Sequence, residues 1–141
     1  MLERGSKTRF TNRNRIKTAQ GSSWHTVPVF KSGFGQPIIN EAVVENESKW
    51  SNKHFRTLVE CYREAEYFAE HRSWFENFFQ QRWSLLSPIL EYSTHYLIKI
   101  LDIKTPIVKA SELEAKGRKS DYILNLCREV GGSVYLSGPS A

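Results

Sequence analysis

The chain has 141 residues, with 20 lysines and arginines against 15 aspartates and glutamates, and with four tryptophans, six tyrosines and eight phenylalanines. This size and composition are typical of one globular domain and exclude a disordered chain, a collagen-like repeat and a small disulfide scaffold. Residues 1–20 hold six bases and one acid whereas the remainder is balanced, so the net positive charge lies at the N-terminus.

Residues 1–20 are predicted to form a basic arm that is suited to binding an anion. The segment includes the run TRFTNRNRIK. In an extended chain alternate residues face opposite sides, so Asn12 and Asn14 would lie on one side and Arg13 and Arg15 on the other. Each guanidinium group can donate two parallel hydrogen bonds to phosphate oxygens, and side-chain amides can bind sugar hydroxyls. The alternatives are a solvated tail, and amides that only hold a loop through backbone hydrogen bonds.

Residues 21–45 read as strands. Residues 21–23, Gly-Ser-Ser, are a turn signal, and the β-branched residues of 25–30 predict a short strand that follows it. Residues 31–37 contain two glycines and a proline and are predicted to be a loop. Residues 38–44 then predict a second strand, which would pair with the first as a hairpin.

Residues 46–103 form the predicted helical region. A helical spacing of apolar residues begins at Trp50, with Ser48 or Ser51 available as the N-cap. A second helix is predicted from about His71. The pair Ser87-Pro88 indicates the start of a third helix, which would run to about residue 102.

The second predicted helix carries an aromatic face, made of Trp74, Phe75, Phe78, Phe79 and Trp83. Aromatic residues at helical spacing usually form the core of a protein. A platform on which carbohydrates or bases stack is the alternative.

Residues 104–141 have the order of a β-α-β unit. Strands are predicted at 106–110 and 133–137, with a helix at 121–130 that ends at Gly131-Gly132. Ligands bind beyond the carboxyl ends of parallel strands, which places Ser111, Ser137 and Gly138 at a candidate site. The sequence therefore predicts an α/β fold with a mixed sheet: an N-terminal β-hairpin, three central helices and a C-terminal β-α-β unit in one domain.

His54 is the strongest candidate for a general base among the four histidines. Its neutral form accepts a proton near pH 7, and Lys53 beside it would lower its pKa. The two residues are therefore the predicted catalytic pair. We expect them to share one site with residues 12–15 and with the turn at Ser137 and Gly138. The alternative is a structural histidine that hydrogen-bonds a neighbouring loop.

The two cysteines, Cys61 and Cys127, are predicted to be reduced thiols on apolar helix faces, which favours the cytoplasm. His54 and Cys61 would supply only two metal ligands, so neither a metal nor a cofactor is predicted. No run of 18 apolar residues is present, so we expect no membrane insertion. Six bases are too few to follow a nucleic acid backbone, so no nucleic acid partner is expected.

Three blocks of the sequence, in the same order, resemble the WbqC-like protein family. They read NRNRIKTAQGSSWHTVPV, KWSNKHFRTLVECYREAEYF and KSDYILNLCREVGGSVYLSGP. The resemblance covers about residues 11–139. Members of that family begin earlier and continue further, so this chain is expected to be a fragment.

The resemblance implies a cytoplasmic bacterial protein of O-antigen and surface-polysaccharide biosynthesis that acts on activated sugars. We therefore predict group transfer onto or from a nucleotide sugar, or a related anionic small molecule. The alternative is a non-catalytic accessory or scaffold subunit that binds an enzyme of the pathway. The predicted ligand contacts, assigned by their chemistry at positions within the matching blocks or beside them, are Asn12, Arg13, Asn14, Arg15, Lys17, Trp24, Ser111, Ser137 and Gly138.

Overall fold

The computed structural model describes residues 10–30 and 38–136, and in these residues the chain forms a β-hairpin and four α-helices. The strands are β1 (Arg13–Thr18) and β2 (Gly21–Thr26). The helices are α1 (Trp50–Tyr62), α2 (Phe68–Gln80), α3 (Leu86–Ile100) and α4 (Lys119–Glu129). The mixed α/β class with an N-terminal hairpin is confirmed. The chain divides into two units, residues 1–101 and 102–141.

The hairpin is antiparallel and pairs Arg15 with Trp24 and Asn14 with His25. The hairpin lies earlier in the chain than predicted, because residues 13–18 of the basic arm form its first strand and the turn lies at residues 19–20. Pro28 has no amide hydrogen and cannot extend the ladder. Of the predicted pairing between residues 25–30 and 38–44, one antiparallel bridge is present, between Val29 and Val44. The short 3-10 helix Ile39–Glu41 replaces the start of the predicted second strand.

The first three helices lie close to their predicted positions. α1 begins at Trp50 as expected, but its N-cap is Lys49 in the left-handed region (φ 52°), without a side-chain cap. The predicted serine cap was wrong: the Ser48 amide instead donates to Glu45 Oε1 at 3.0 Å. α3 begins at Leu86, which places Pro88 in the first helical turn, where no intrahelical donor is needed.

The core of the first unit lies where α2, the start of α3 and the segment before α1 meet. Its buried cluster contains Val44, Trp50, Phe78, Trp83 and Ile89. The Trp83 indole donates to the Phe78 carbonyl at 2.9 Å, so the chain after α2 turns back over the helix end. The core interpretation of the aromatic face is therefore supported for Phe78 and Trp83.

The segment that precedes α1 is joined to the start of α3 by backbone hydrogen bonds. The Val44 amide donates to the Ser84 carbonyl at 2.9 Å, and the Leu86 amide donates to the Ala42 carbonyl at 2.9 Å. Ala42 and Leu86 are both completely buried. These bonds hold α1 close to the core and so fix the helix against which the hairpin packs.

In the second unit the predicted helix is present and the predicted strands are not confirmed. Residues 103–109 are irregular and exposed and lead into the 3-10 helix Ala110–Glu112. Residues 133–136 are also irregular. A strand needs a hydrogen-bonded partner strand, and the described part of this unit contains no strand. Ser137 and Gly138 lie outside the described residues.

None of the helices in the described ranges combines the length and the apolar character that crossing a bilayer requires.

Candidate functional site

One face of the hairpin gathers cationic side chains around a tryptophan. The guanidinium carbons of Arg13 and Arg15 lie 4.0 and 4.4 Å from the centre of the Trp24 ring. Phe10 lies against the same indole, with 5.1 Å between ring centres. Strand alternation places Lys17 on this side as well. We call Arg13, Arg15, Lys17 and Trp24 the arginine face.

The arginine face has a simple physical origin. Residues two apart in a strand share a side, and the antiparallel register brings Trp24 opposite Arg15. A guanidinium over an indole face is attracted by the ring quadrupole, which restricts where the cation can lie. Two guanidinium groups held at one ring keep like charges close together, and an anion that contacts both reduces their repulsion. The arrangement is therefore suited to an anionic ligand.

The opposite face of the hairpin carries Asn14 and His25 and packs on α1. The His25 ring stacks on the His54 ring, with centres 4.3 Å apart and planes 17° apart. His54 also lies edge-on to Trp50 at 5.5 Å and to Phe79 at 6.3 Å. With 9% of its surface exposed, His54 is part of an aromatic contact between β2 and α1.

The electrostatic environment of this contact disfavours protonated histidine. Burial, followed by the neighbouring His25 and Lys53, lowers the pKa of His54 to about 4. Burial and then Lys53 also lower the pKa of His25. Lys53 acts in the direction that the sequence predicts, but burial is the larger cause. Proton transfer near neutral pH is most efficient for a group whose pKa lies close to 7, so His54 is a weak base in this position.

The structure does not bring all the predicted site residues together. His54 contacts the side of the hairpin opposite to Arg13 and Arg15, so the expected shared site of histidine and arginines does not form on one face. Ser111 is exposed in the 3-10 helix Ala110–Glu112 of the second unit. The participation of Ser111, Ser137 and Gly138 in ligand binding stays a prediction.

The two asparagines make local hydrogen bonds. Asn12 Nδ2 donates to the Val27 carbonyl at 3.0 Å, and Asn14 Oδ1 accepts the Arg15 amide at 2.8 Å. These are the structural roles that the sequence leaves open as the alternative. Asn14 remains exposed, so its amide nitrogen is still available to a ligand.

A tyrosine of α1 fixes the far end of β1. The Lys17 amide donates to the Tyr62 hydroxyl at 2.9 Å. Beside this bond lies a groove of about 590 Å³, lined by residues of the hairpin turn and of the last turn of α1, including Cys61. Both cysteines are free thiols, as expected. Among the described residues no group of three potential metal ligands is present.

Sequence reasoning missed a second group of bases, on α1. Lys53 and Arg56 are three residues apart and share one side of α1, and Lys49 lies at the N-cap just before the helix. Residues 21–141 hold equal numbers of bases and acids, and this overall balance conceals the group of bases at the start of α1. A helical projection of residues 49–63, which hold four bases and one acid, would have revealed it.

Comparison with known proteins gives two matches. The chain matches the WbqC-like protein family over residues 5–141. It is 32% identical, over 137 residues, to the uncharacterized protein Rv1507c of Mycobacterium tuberculosis. That alignment covers 96% of this chain and 59% of the relative, so the chain spans a little over half of the relative's length. No solved structure matches the chain.

Proposed function

The chain belongs to the WbqC-like protein family, and from that premise we propose that its arginine face binds the diphosphate of a nucleotide-activated sugar. The binding would serve group transfer onto or from that sugar during the synthesis of bacterial surface polysaccharide such as O-antigen. The single observation that carries the proposal is the convergence of Arg13 and Arg15 on Trp24.

A diphosphate fits the chemistry of this face. Each guanidinium can donate two parallel hydrogen bonds to phosphate oxygens, and such charge-assisted bonds are about twice as strong as neutral ones. Trp24 restricts both side chains before the ligand arrives, which lowers the entropy lost on binding. Lys17, exposed further along the same face, can contact a second phosphate or a sugar hydroxyl.

The predicted catalytic pair enters the proposal with different roles for its two members. Lys53 is exposed and cationic, so it remains the candidate for contact with the reacting groups. His54 is buried and holds β2 against α1 through the His25 stack, so its proposed role is to position the hairpin.

Calorimetric titration of the full chain with UDP-glucose and dTDP-glucose tests this proposal. The double variant Arg13→Ala/Arg15→Ala is expected to lose more than about 2 kcal/mol of binding free energy, because each charge-assisted contact contributes about 1.5–3 kcal/mol.

The matched control is Arg63→Ala/Arg82→Ala, which removes the same charge from two exposed ion pairs, with Glu64 at 3.2 Å and Glu47 at 3.9 Å. Exposed pairs contribute little to stability, so this variant should fold and bind normally. Unchanged affinity in the arginine-face variant, or an equal loss in the control, would contradict the proposal.

A second candidate function is that of a non-catalytic accessory subunit. Exposed apolar side chains at the end of α3 favour it, since Leu97 is 52% and Leu101 is 66% exposed. Phosphorus NMR of the chain incubated with the nucleotide sugar distinguishes the two functions. Release of nucleoside diphosphate, with the sugar passing to an added acceptor or to water, supports transfer from the nucleotide sugar. Binding without turnover, in the presence of an acceptor, supports the accessory role.

A further inference from the structure

The side of α1 that faces away from the aromatic core carries a run of bases. Lys49, Lys53 and Arg56 are all exposed. Lys53 and Arg56, three residues apart on the helix, carry like charges that repel one another and destabilise the helix slightly, and Lys49 at the N-cap adds a third positive charge. In the described part of the chain no ion pair joins any of the three to a carboxylate. This local repulsion has no compensating contact within the first unit as described.

The bases line a groove rather than a flat surface. Its volume is about 510 Å³, which lies in the range of small-molecule sites. Asn52 lies between the lysines in this lining, and Glu60 lies one turn beyond Arg56. The groove therefore has a cationic end and, at its other end, a single carboxylate.

The two ends suit two parts of one ligand. Lysine and arginine side chains donate to phosphate oxygens. A carboxylate accepts hydrogen bonds from hydroxyl groups but repels a phosphate, and an amide such as Asn52 can both donate and accept. A ligand that carries a phosphate at one end and hydroxyls at the other would therefore satisfy the three bases, Asn52 and Glu60.

We propose that the α1 groove binds a phosphorylated sugar, with its phosphate at Lys49, Lys53 and Arg56 and its hydroxyls at Glu60 and Asn52. The inference deepens the proposed function and rests on it in one respect, because group transfer requires a second substrate besides the nucleotide sugar. The binding itself is independent of the arginine face.

Amide NMR of the labelled full chain, titrated with glucose 1-phosphate, tests the groove. Shifts are expected at residues 49–60. The variant Lys49→Gln/Lys53→Gln/Arg56→Gln should weaken binding by about a hundredfold. Glutamine is a good helix former, so α1 should persist, which circular dichroism checks. The control Arg82→Gln/Lys99→Gln/Lys104→Gln removes three exposed charges elsewhere and should bind as the unmodified chain does.

Two further arms identify the ligand. Inorganic phosphate carries the same charged group without the sugar, so it should bind more weakly than glucose 1-phosphate. Glu60→Gln should weaken glucose 1-phosphate about fivefold, because a neutral amide oxygen accepts hydrogen bonds from hydroxyls less strongly than a carboxylate does. It should not weaken phosphate, because the variant removes a negative charge that repels phosphate.

The outcomes separate this inference from the proposed function. Arg13→Ala/Arg15→Ala should leave glucose 1-phosphate binding unchanged even if it abolishes binding of UDP-glucose. The inference is overturned by an absence of shifts on α1 or by an equal loss in the control. It is also overturned by phosphate binding as tight as that of glucose 1-phosphate together with no effect of Glu60→Gln.

Discussion

Neighbouring residues of β2 lie in unlike environments because successive side chains of a strand face opposite sides. Trp24 faces the guanidinium groups of Arg13 and Arg15, whereas His25 faces His54 and the aromatic residues around it. The first environment is cationic and accessible, and the second excludes charge. Two consecutive residues of β2 therefore belong to different surfaces: one is suited to an anion, and the other holds the hairpin on α1.

For a single residue, the lowered pKa of His54 leads us to expect that the stability of the chain depends on pH. Its pKa is about 4 in the folded chain, below the usual 6.5. As the pH falls from 6.5 towards 4, the unfolded chain takes up a proton that the folded chain does not, so stability falls. We expect a loss of about 2 kcal/mol over this interval, once solvent screening is allowed for. Urea unfolding at several pH values measures it.

Two variants isolate the contribution of His54. His54→Gln removes the group with the larger shift and should reduce this dependence, leaving the part that His25 contributes through its own lowered pKa. His95→Gln, at an exposed position of α3, should leave the dependence unchanged. An equally steep loss of stability in His54→Gln would show that other groups cause it.

At the element scale, helices were easier to predict than strands. α1 to α3 carry apolar residues at helical spacing, and this local pattern located them to within a few residues. The hairpin was misplaced because residues 25–30 have a strand-like composition, whereas β1 is polar and its pairing depends on the turn at residues 19–20. Strand pairing is a non-local property, and composition alone does not determine the partner.

For the candidate site too, features set by local sequence could be predicted, whereas contacts between distant residues could not. Alternation in an extended chain correctly separated Asn14 from Arg13 and Arg15. The contact of the two guanidinium groups with Trp24 could not be predicted, because it requires the register of the hairpin. The stack of His25 on His54 joins elements that are distant in sequence, and no local pattern indicates it.

The end of α4 provides a test at this scale. Gly131 has φ 72°, its amide donates to the Arg128 carbonyl at 3.1 Å, and the Gly132 amide donates to the Cys127 carbonyl at 2.7 Å. This is the Schellman arrangement, in which a left-handed glycine ends the helix. Gly131→Ala should cost about 1 kcal/mol of stability through backbone strain alone, since a Cβ there would meet no atom within 4 Å.

The matched variant at this position is Gly131→Asn, because asparagine tolerates the left-handed region better than alanine does. The midpoint temperature of thermal unfolding should be highest for the chain with Gly131, lower for Gly131→Asn and lowest for Gly131→Ala. Alanine as stable as glycine would contradict the assigned role of the left-handed conformation.

At the scale of the whole molecule, the net charge of +5 conceals where the bases lie. One group is presented by the hairpin around Trp24, and another lies along the exposed side of α1. The two groups are on different elements of the first unit, and the buried histidine contact joins those elements. This arrangement offers separate surfaces to two anionic ligands.

Binding of a nucleotide sugar at the arginine face can be followed through the indole resonances of the four tryptophans, because only Trp24 belongs to that face. Trp50 and Trp83 are buried in the core, and Trp74 stacks on Tyr96 at 3.7 Å. When UDP-glucose is titrated into the chain and the indole signals are followed by proton–nitrogen NMR, we predict a saturable shift of the Trp24 signal. The variant Trp24→Phe assigns that signal. The shift should be absent in Arg13→Ala/Arg15→Ala. A Trp24 resonance that stays unmoved while UDP-glucose binds elsewhere, or no binding at all, would contradict binding at the arginine face.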